Sequence, residues 1–141
     1  MPMQTNVTEI AQRFASALDR EDYEAARAKL AADCRYEART EVVAGPDAIV
    51  SSYRSQGETA RRLFDAVDYR SEPVNAGADT ACVAFSDRLS KHGRTHTFEC
   101  QQWLYFQPDG LIARIVHEDL PGERQRLLEF CATCGVTLSN G

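Results

Sequence analysis

The stretch from Thr80 to Asp119 most constrains the fold, because apolar and polar residues alternate along three segments separated by two turn signals. Alternation with a period of two is typical of half-buried β-strands. The turn signals are His92-Gly93 and Pro108-Asp109-Gly110. The pattern therefore predicts an antiparallel meander of three strands, over Thr80–Lys91, Arg94–Phe106 and Leu111–Asp119.

Loop length sets the register of each hairpin. A first loop of Lys91 to Arg94 pairs Asp87 with Phe98. The same loop also predicts the pairs Leu89 with His96, Phe85 with Cys100, and Val83 with Gln102. A second loop of Gln107 to Gly110 predicts the pairs Phe106 with Leu111, Gln102 with Ile115, Cys100 with His117, and Phe98 with Asp119.

Directly opposed residues share a face of the sheet, and one face of this meander is mostly apolar. It carries Val83, Phe85, Asp87, Leu89, His96, Phe98, Cys100, Gln102, Leu104, Phe106, Leu111, Ala113, Ile115, His117 and Asp119. An unpaired carboxylate buried there would cost several kcal/mol. We therefore expect a pocket between this face and the helices, with Gln102 and His117 well inside. The alternative for Asp87, His96 and Asp119 is a solvated strand end.

The rest of the chain completes an α+β pattern of one domain over residues 1–141, with helices covering one face of a sheet. Helical spacing predicts helices over Thr8–Leu18, with Thr8 as the cap, and over Tyr23–Leu30. A strand is predicted over Cys34–Thr40 and another over Phe64–Tyr69. Further helices are predicted over Ala48–Arg54, with room for one more turn, and over Glu123–Cys134.

Composition excludes several classes of function. A net charge of −5 without a basic run argues against nucleic acid and anionic membranes as the main partner. No apolar stretch approaches the ~20 residues of a membrane span, and the N-terminus lacks the apolar core of a signal peptide. An odd count of five cysteines then predicts free thiols and a cytoplasmic location. The Cys131-Ala-Thr-Cys134 motif lacks two further zinc ligands, so neither a metal nor a cofactor is expected.

Three segments, 13–38, 45–54 and 98–119, resemble the nuclear transport factor 2-like superfamily, which includes SnoaL-like polyketide cyclases and ketosteroid isomerases. The best single marker is the run from Phe106 to Ile112, an aromatic residue followed by Asp-Gly and a strand. The resemblance implies a cystatin-like fold, in which N-terminal helices wrap a curved antiparallel sheet into a cone with an internal pocket. The resemblance gives only weak information about activity, because this fold carries many functions.

The catalytic patterns of these families are matched only in part. Ketosteroid isomerases use an aspartate base, a helix tyrosine and a middle-strand acid, where this chain has Ala38, Phe14 and Gln102. SnoaL-like cyclases place acid/base residues on the late strands, where His117 and Asp119 stand. The Asp–Arg–Asp set of limonene-epoxide-hydrolase-like members has no counterpart, because the predicted pocket face carries no arginine.

Two hypotheses follow. In the first, the chain is a cofactor-independent isomerase, cyclase or dehydratase that moves protons on a hydrophobic carbonyl compound. Its candidate catalytic residues are His117, Asp119, Asp87 and Gln102, since imidazole titrates near neutrality and an amide N–H can stabilise an oxyanion. Its candidate substrate-binding residues are Tyr36, Tyr53, Phe85, Phe98, Cys100, Ile115 and Phe14. In the second, the chain is a non-catalytic ligand-binding or dimerisation module, in which His117 and the tyrosines are structural.

The opposite face of the meander predicts a homodimer. It carries a patch of Trp103, Tyr105, Ile112 and Val116, in which Tyr105 is expected to oppose Ile112 and Trp103 to oppose Arg114. Side chains alternate strictly along a strand, so these residues cannot also face the helices. A bare aromatic patch of this size is unusual on a monomer. The alternative is that the C-terminal helix folds back over it through Leu127, Leu128 and Phe130.

Overall fold

The computed structural model describes residues 6–138, and this range contains four helices and six strands. The helices are α1 (Val7–Asp19), α2 (Tyr23–Arg27), α3 (Pro46–Leu63) and α4 (Glu123–Cys134). The strands are β1 (Leu30–Glu37), β2 (Val42–Ala44), β3 (Ala66–Ala76), β4 (Thr80–Lys91), β5 (Arg94–Phe106) and β6 (Ile112–Asp119). The bounds of β4, β5 and α4 are those predicted from the sequence.

The first helix begins one residue before the predicted start. Asn6 caps it, because the Asn6 Oδ1 accepts a hydrogen bond of 3.1 Å from the Glu9 backbone N–H, and asparagine is among the best N-cap residues. Thr8, the expected cap, lies inside the helix. The buried face carries Val7, Ala11, Phe14, Ala15, Ala17 and Leu18. This helical spacing turns one apolar stripe toward the sheet.

The second and third helices differ from the prediction in length. α2 ends at Arg27 rather than Leu30, because Leu30 is buried as the first residue of β1. α3 runs for 18 residues to Leu63, past the predicted end at Arg54. Gly57 weakens the helical signal there, since glycine costs about 1 kcal/mol relative to alanine inside a helix. Burial of one helix face against the rest of the protein outweighs that preference.

The six strands form one mixed sheet in the order β2-β1-β6-β5-β4-β3. Every pairing is antiparallel except that of β1 with β6, which places Tyr36 opposite Ile115. The parallel pair corrects the expectation of a purely antiparallel sheet. The helix α3 and the strands β2 to β5, which separate β1 from β6 in sequence, give the long connection that a parallel pair needs. The α+β cone expected from the sequence is otherwise present.

The predicted register is right for the first hairpin and wrong by two residues for the second. β4 and β5 pair as expected, with Asp87 opposite Phe98. Between β5 and β6, however, Gln102 lies opposite His117, and a bulge leaves Ala113 without a direct partner. An even shift keeps the later residues of β6 on their predicted face, because side chains alternate with a period of two. Before the bulge the faces exchange, so Ile112 is fully buried in the core.

Two apolar clusters hold the cone together. The larger joins α1, α2 and α3 to the sheet, and its fully buried side chains include Phe14, Ile49, Leu104, Ile112 and Ile115. The smaller cluster centres on Phe64, Leu89 and Cys131 and is completed by Leu127 and Phe130 of α4. Since Leu89 is on the inner face, α4 closes one end of the cone. It does not cover the outer patch around Trp103.

Candidate active site

A cavity of about 170 Å³ lies between the inner face of the sheet and helices α1 and α3. Its walls are mostly aromatic or apolar, with a few polar groups, which is the usual composition of a small-molecule site. The lining residues are Leu18, Asp19, Tyr23, Tyr36, Tyr53, Gln56, Gly57, Ala60, Tyr69, Phe85, Asp87, Phe98, Cys100, Gln102 and His117. Three of the four predicted catalytic residues are therefore brought to one cavity.

One wall carries a chain of hydrogen bonds from α3 across β5 to β6. The Tyr53 hydroxyl donates to Gln102 Oε1 at 2.7 Å, and Gln102 Nε2 lies 3.3 Å from His117 Nδ1. His117 Nε2 lies 2.9 Å from Asp119 Oδ1. The two-residue shift in register creates this chain, since it places Gln102 directly opposite His117.

The ends of this chain differ in their exposure to solvent. Asp119 does not line the cavity; it lies behind His117 and forms an ion pair with Arg39 at 3.4 Å. Burial raises the pKa of Tyr53 well above its ordinary value, and the nearby Tyr36 raises it further. Burial likewise raises the pKa of Tyr36. Both tyrosines therefore remain protonated and neutral at physiological pH, so they offer a hydroxyl rather than a charge.

Asp87 is the titratable group on another part of the wall. Burial, followed by the nearby charge of Asp19, raises its pKa to about 6. Among the described residues no hydrogen bond to the Asp87 carboxyl contributes to this shift. Its strand neighbours are Tyr69 on β3 and Phe98 on β5. Burial raises the pKa of Tyr69 to about 12, with the Asp87 charge as the next cause. An unpaired carboxylate that titrates near neutrality is suited to act as a general base.

Asp19 is a cavity residue that the sequence analysis did not single out. It is the last residue of α1 and accepts a hydrogen bond from the Ser71 hydroxyl on β3. Burial raises its pKa, and the bond from Ser71 partly opposes that change. The sequence did carry a signal for Asp19, because an acidic residue at the C-terminus of a helix opposes the helix dipole and is unfavourable there. Asp19 and Asp87 thus give this part of the cavity an acidic character.

The predicted substrate-binding residues divide into two groups. Tyr36, Tyr53, Phe85, Phe98 and Cys100 line the cavity. Burial raises the pKa of the Cys100 thiol to about 12, so it is neutral there.

Phe14 and Ile115 do not line the cavity; both are fully buried core residues. The register shift moves Ile115 opposite Leu104 and away from Gln102. Phe14 packs edge-on against the Tyr53 ring, with centroids 6.2 Å apart, and so lies behind the cavity wall. Their assignment as pocket residues is corrected accordingly.

Gly57 allows α3 to approach two tyrosines beside the cavity. A Cβ at this position would lie 3.2 Å from the Tyr23 hydroxyl and 3.6 Å from the Tyr69 hydroxyl. Next to them Glu21 forms an ion pair with Arg61 on α3, and Glu21 has a left-handed φ of 59°. The turn between α1 and α2 is thereby tied to α3 at this side of the cavity.

His96 lies away from the cavity, under α4. Its ring stacks on Phe130 with centroids 5.2 Å apart, and its buried Nε2 has no hydrogen-bond partner among the described residues. The cysteines Cys34, Cys82, Cys100, Cys131 and Cys134 are all free and buried. Over residues 6–138, no group of three or more His, Cys, Asp or Glu side chains is arranged to hold a metal ion.

Comparison of the sequence with protein-family models finds a match to the SnoaL-like domain over residues 11–115. A comparison with curated protein sequences finds no match. None of the helices in the described part of the chain is long and apolar enough to cross a membrane.

Solved structures with the same fold share little sequence with the chain. An NTF2-like protein of unknown function from Burkholderia pseudomallei has a TM-score of 0.66 at 18% identity, covering 86% of this chain and 96% of that one. A proposed polyketide cyclase from Xanthomonas campestris has a TM-score of 0.64 at 17% identity, covering 92% and 96%. A proposed ketosteroid isomerase from Kribbella flavida has a TM-score of 0.62 at 19% identity, covering 86% of each chain. At these identities the likeness shows the fold alone.

Proposed function

Because this chain belongs to the SnoaL-like domain family, we propose that it transfers protons on a small hydrophobic carbonyl compound without a cofactor. One observation carries the proposal. The unbonded carboxyl of Asp87, with a pKa raised to about 6, faces the same apolar cavity as the Tyr53–Gln102–His117 wall. Enolisation uses a base that removes a proton from carbon and hydrogen-bond donors that stabilise the resulting oxyanion, and this cavity carries groups of both kinds.

In the proposed reaction, Asp87 takes a proton from the carbon next to the carbonyl group. The electron pair of that C–H bond forms the C=C bond of an enolate, and the carbonyl π pair moves to oxygen. An amide N–H of Gln102 stabilises the oxyanion by hydrogen bonding, and the Tyr53 hydroxyl adds a second donor once it turns from Gln102 Oε1 to the ligand. In a β,γ-unsaturated ketone the enolate is conjugated with the existing C=C bond, so the protonated Asp87 then returns the proton to the far carbon of that bond. The carbonyl group re-forms, the C=C bond moves into conjugation with it, and the Asp87 carboxylate is restored. Attack of the enolate carbon on a second carbonyl group of the same molecule would instead form a C–C bond and close a ring. The π pair of that second carbonyl moves to its oxygen, which takes the proton from Asp87.

His117 and Asp119 support the oxyanion side of the site in this proposal. Asp119 binds the imidazole, and Arg39 binds Asp119, so the His117 ring is held in one orientation. Direct proton exchange by His117 requires Gln102 to leave Nδ1, and that role stays a prediction.

The engagement of both His117 ring nitrogens favours one other candidate function. A histidine held by Gln102 and Asp119 has no nitrogen free for a substrate in this arrangement. A non-catalytic module that binds a hydrophobic small molecule in the same cavity would need nothing more. The two functions differ in whether Asp87 is required for chemistry.

Isomerisation of cyclohex-3-enone to its conjugated isomer tests the proposal, because conjugation gives an absorbance change and the ring is small enough for the cavity. The wild-type protein should accelerate the reaction, and Asp87→Asn should lose ~10²–10⁴-fold of that rate. Asp68→Asn is the matched control, since Asp68 is exposed on the neighbouring strand β3. Equal rates in Asp87→Asn and the wild type would refute the catalytic proposal and favour the non-catalytic binding function.

We also propose that the protein is a homodimer that pairs through the outer sheet face. The support is a patch of Trp103, Tyr105 and Val116, which α4 leaves uncovered. Ile112 is removed from the predicted patch, because the bulge turns it into the core. Two predicted contacts are also corrected. Trp103 lies opposite Val116, and the Arg114 guanidinium lies over the Tyr105 ring at 5.2 Å.

A cytoplasmic location is proposed on the strength of the cysteines. All five are free in a structure that brings none of them into a disulfide. Free thiols persist in reducing compartments.

A further inference from the structure

The hydrogen-bond chain on the cavity wall has only one direction while His117 is neutral. The Asp119 carboxylate can only accept, so the His117 nitrogen that faces it, Nε2, must carry the proton. A neutral imidazole has a single N–H, and Nδ1 therefore accepts from the Gln102 amide. This orientation leaves Gln102 Oε1 facing Tyr53, whose hydroxyl donates to it at 2.7 Å. The single hydroxyl proton of Tyr53 is thus bonded to Gln102 and is not offered to a ligand in the cavity.

Protonation of His117 reverses this chain. A proton on Nδ1 would face the Gln102 NH₂ group at 3.3 Å, and two donors repel each other. A half-turn of the amide restores the contact, since Oε1 then accepts from Nδ1–H. The NH₂ group now faces the Tyr53 oxygen and donates to it. The Tyr53 O–H is released, and Tyr53 lines the cavity.

We propose that the cavity takes a single-ring ligand with a hydrogen-bond acceptor, such as a ketone, and that one proton enters His117 when the ligand binds. The inference concerns the same cavity as the proposed function and names its ligand class. Size supports a single ring, because an apolar protein cavity of about 150 Å³ holds benzene and this one measures about 170 Å³. Chemistry supports an acceptor, because only the protonated wall presents the Tyr53 donor.

The groups that face His117 are as follows. On its own strand Asp119 lies against Nε2 and is paired in turn with Arg39. The Tyr36 ring from β1 lies 6.5 Å away, and Cys100 faces the cavity from β5. Burial keeps both of them neutral. Tyr53 on α3 is also neutral, for the same reason.

The remaining charged groups are the acidic pair Asp87 and Asp19, which face the cavity from β4 and α1. Asp87 is therefore the second site where a proton could enter with the ligand. A test of the inference must separate uptake at Asp87 from uptake at His117.

Calorimetry in two buffers of different ionisation enthalpy measures the number of protons taken up with a ligand. The probes are acetophenone, which has an acceptor, and ethylbenzene, which has nearly the same shape without one. At pH about 7.5, where a free imidazole is mostly neutral, acetophenone should bind with uptake of about one proton. Ethylbenzene should bind with none. Binding of neither probe, or acetophenone binding without uptake, overturns the proposal.

Three variants locate the proton. Leucine in Gln102→Leu has no amide to turn, so it cannot link protonation of His117 to release of the Tyr53 hydroxyl. Proton uptake with acetophenone should therefore fall to zero in Gln102→Leu, whereas Asp87→Asn should retain it. Tyr53→Phe removes the released donor and should lower the preference for acetophenone over ethylbenzene by roughly 3- to 10-fold. Since Gln102→Leu can fail to fold, Tyr53→Phe is the second test. An unchanged preference of Tyr53→Phe for acetophenone over ethylbenzene would refute the inference.

The outcomes also separate this inference from the proposed function. Proton uptake without isomerisation of cyclohex-3-enone would refute the catalytic function and leave the ligand class standing. Isomerisation that depends on Asp87 but involves no uptake with acetophenone would refute only the ligand inference.

Discussion

Gln102 and His117 lie directly opposite each other on neighbouring strands, with Gln102 Nε2 at 3.3 Å from His117 Nδ1. This contact joins the Tyr53 hydroxyl on the cavity wall to the Asp119 carboxylate, which lies behind His117. It occurs because a bulge at Ala113 shifts β6 by two residues relative to the register that the loop length predicts. A local backbone irregularity thus determines which side chains meet in the site.

Asp87→Asn should make the protein more stable at neutral pH. Burial raises the pKa of Asp87 to about 6, so the folded state disfavours the charged form that the unfolded state accepts above its own pKa of 3.8. The stability from Asp87 is therefore fully present below pH 3.8 and is lost as pH rises to about 6. A shift of this size corresponds to a gain of up to about 3 kcal/mol for the neutral amide. Denaturant unfolding at pH 8 measures it.

The control for that experiment is Asp68→Asn, which changes an exposed aspartate on β3. Its stability should follow the wild-type curve at every pH. The difference between Asp87→Asn and the wild type should shrink as pH falls toward 4. A difference that stays constant with pH would mean that Asp87 titrates normally in the folded protein.

Activity should fall as pH drops below about 6, because the proposed base must be ionised to accept a proton. The isomerisation rate of cyclohex-3-enone, measured from pH 4 to 8, should show an acid limb with a midpoint near the Asp87 pKa. The residual rate of Asp87→Asn should lack this limb. An acid limb that persists unchanged in the variant assigns the titration to another group.

His117→Ala should lower activity far more than stability. The imidazole fixes Gln102 and is itself held by Asp119, so its loss disorders the oxyanion side of the cavity. Loss of one group on which oxyanion stabilisation depends typically costs ~10²–10³-fold in rate. Rates and thermal midpoints should be measured beside His92→Asn, a control in the exposed turn between β4 and β5. A variant that keeps the wild-type rate would make His117 a structural residue.

Trp103→Glu should dissociate the proposed dimer. Trp103 lies on the outer face opposite Val116, and a carboxylate buried in an interface core is costly. Sedimentation at micromolar concentrations should give twice the 15.7 kDa chain mass for the wild type and the chain mass for the variant. Leu128→Glu is the control, because Leu128 is an exposed apolar residue on α4, which leaves the patch uncovered. A wild-type protein that stays at the chain mass as concentration rises would refute the dimer.

Much of the architecture could be predicted from local patterns. Alternation and the two turns predicted β4 and β5 with their register, helical spacing predicted α1, and α4 was predicted after the Pro121-Gly122 stop. The length of α3 could not be predicted, because Gly57 and several serines weaken its local helical preference, which packing then overrides. The parallel pairing of β1 with β6 depends on contacts between residues far apart in sequence, which no local pattern carries.

The sequence by itself determined the face on which Asp87, Gln102 and His117 lie, because strict alternation along a strand assigns each side chain to one side of the sheet. It did not determine which of them touch, since the two-residue shift of β6 beyond the bulge keeps His117 on its predicted face and changes its partner on β5. Only the tertiary structure decided that Gln102 meets His117, that Tyr53 reaches Gln102 from a helix 49 residues away, and that Asp19 lies close enough to raise the pKa of Asp87. These contacts depend on a bulge and on how α1 and α3 dock, and both are set by packing of the whole cone.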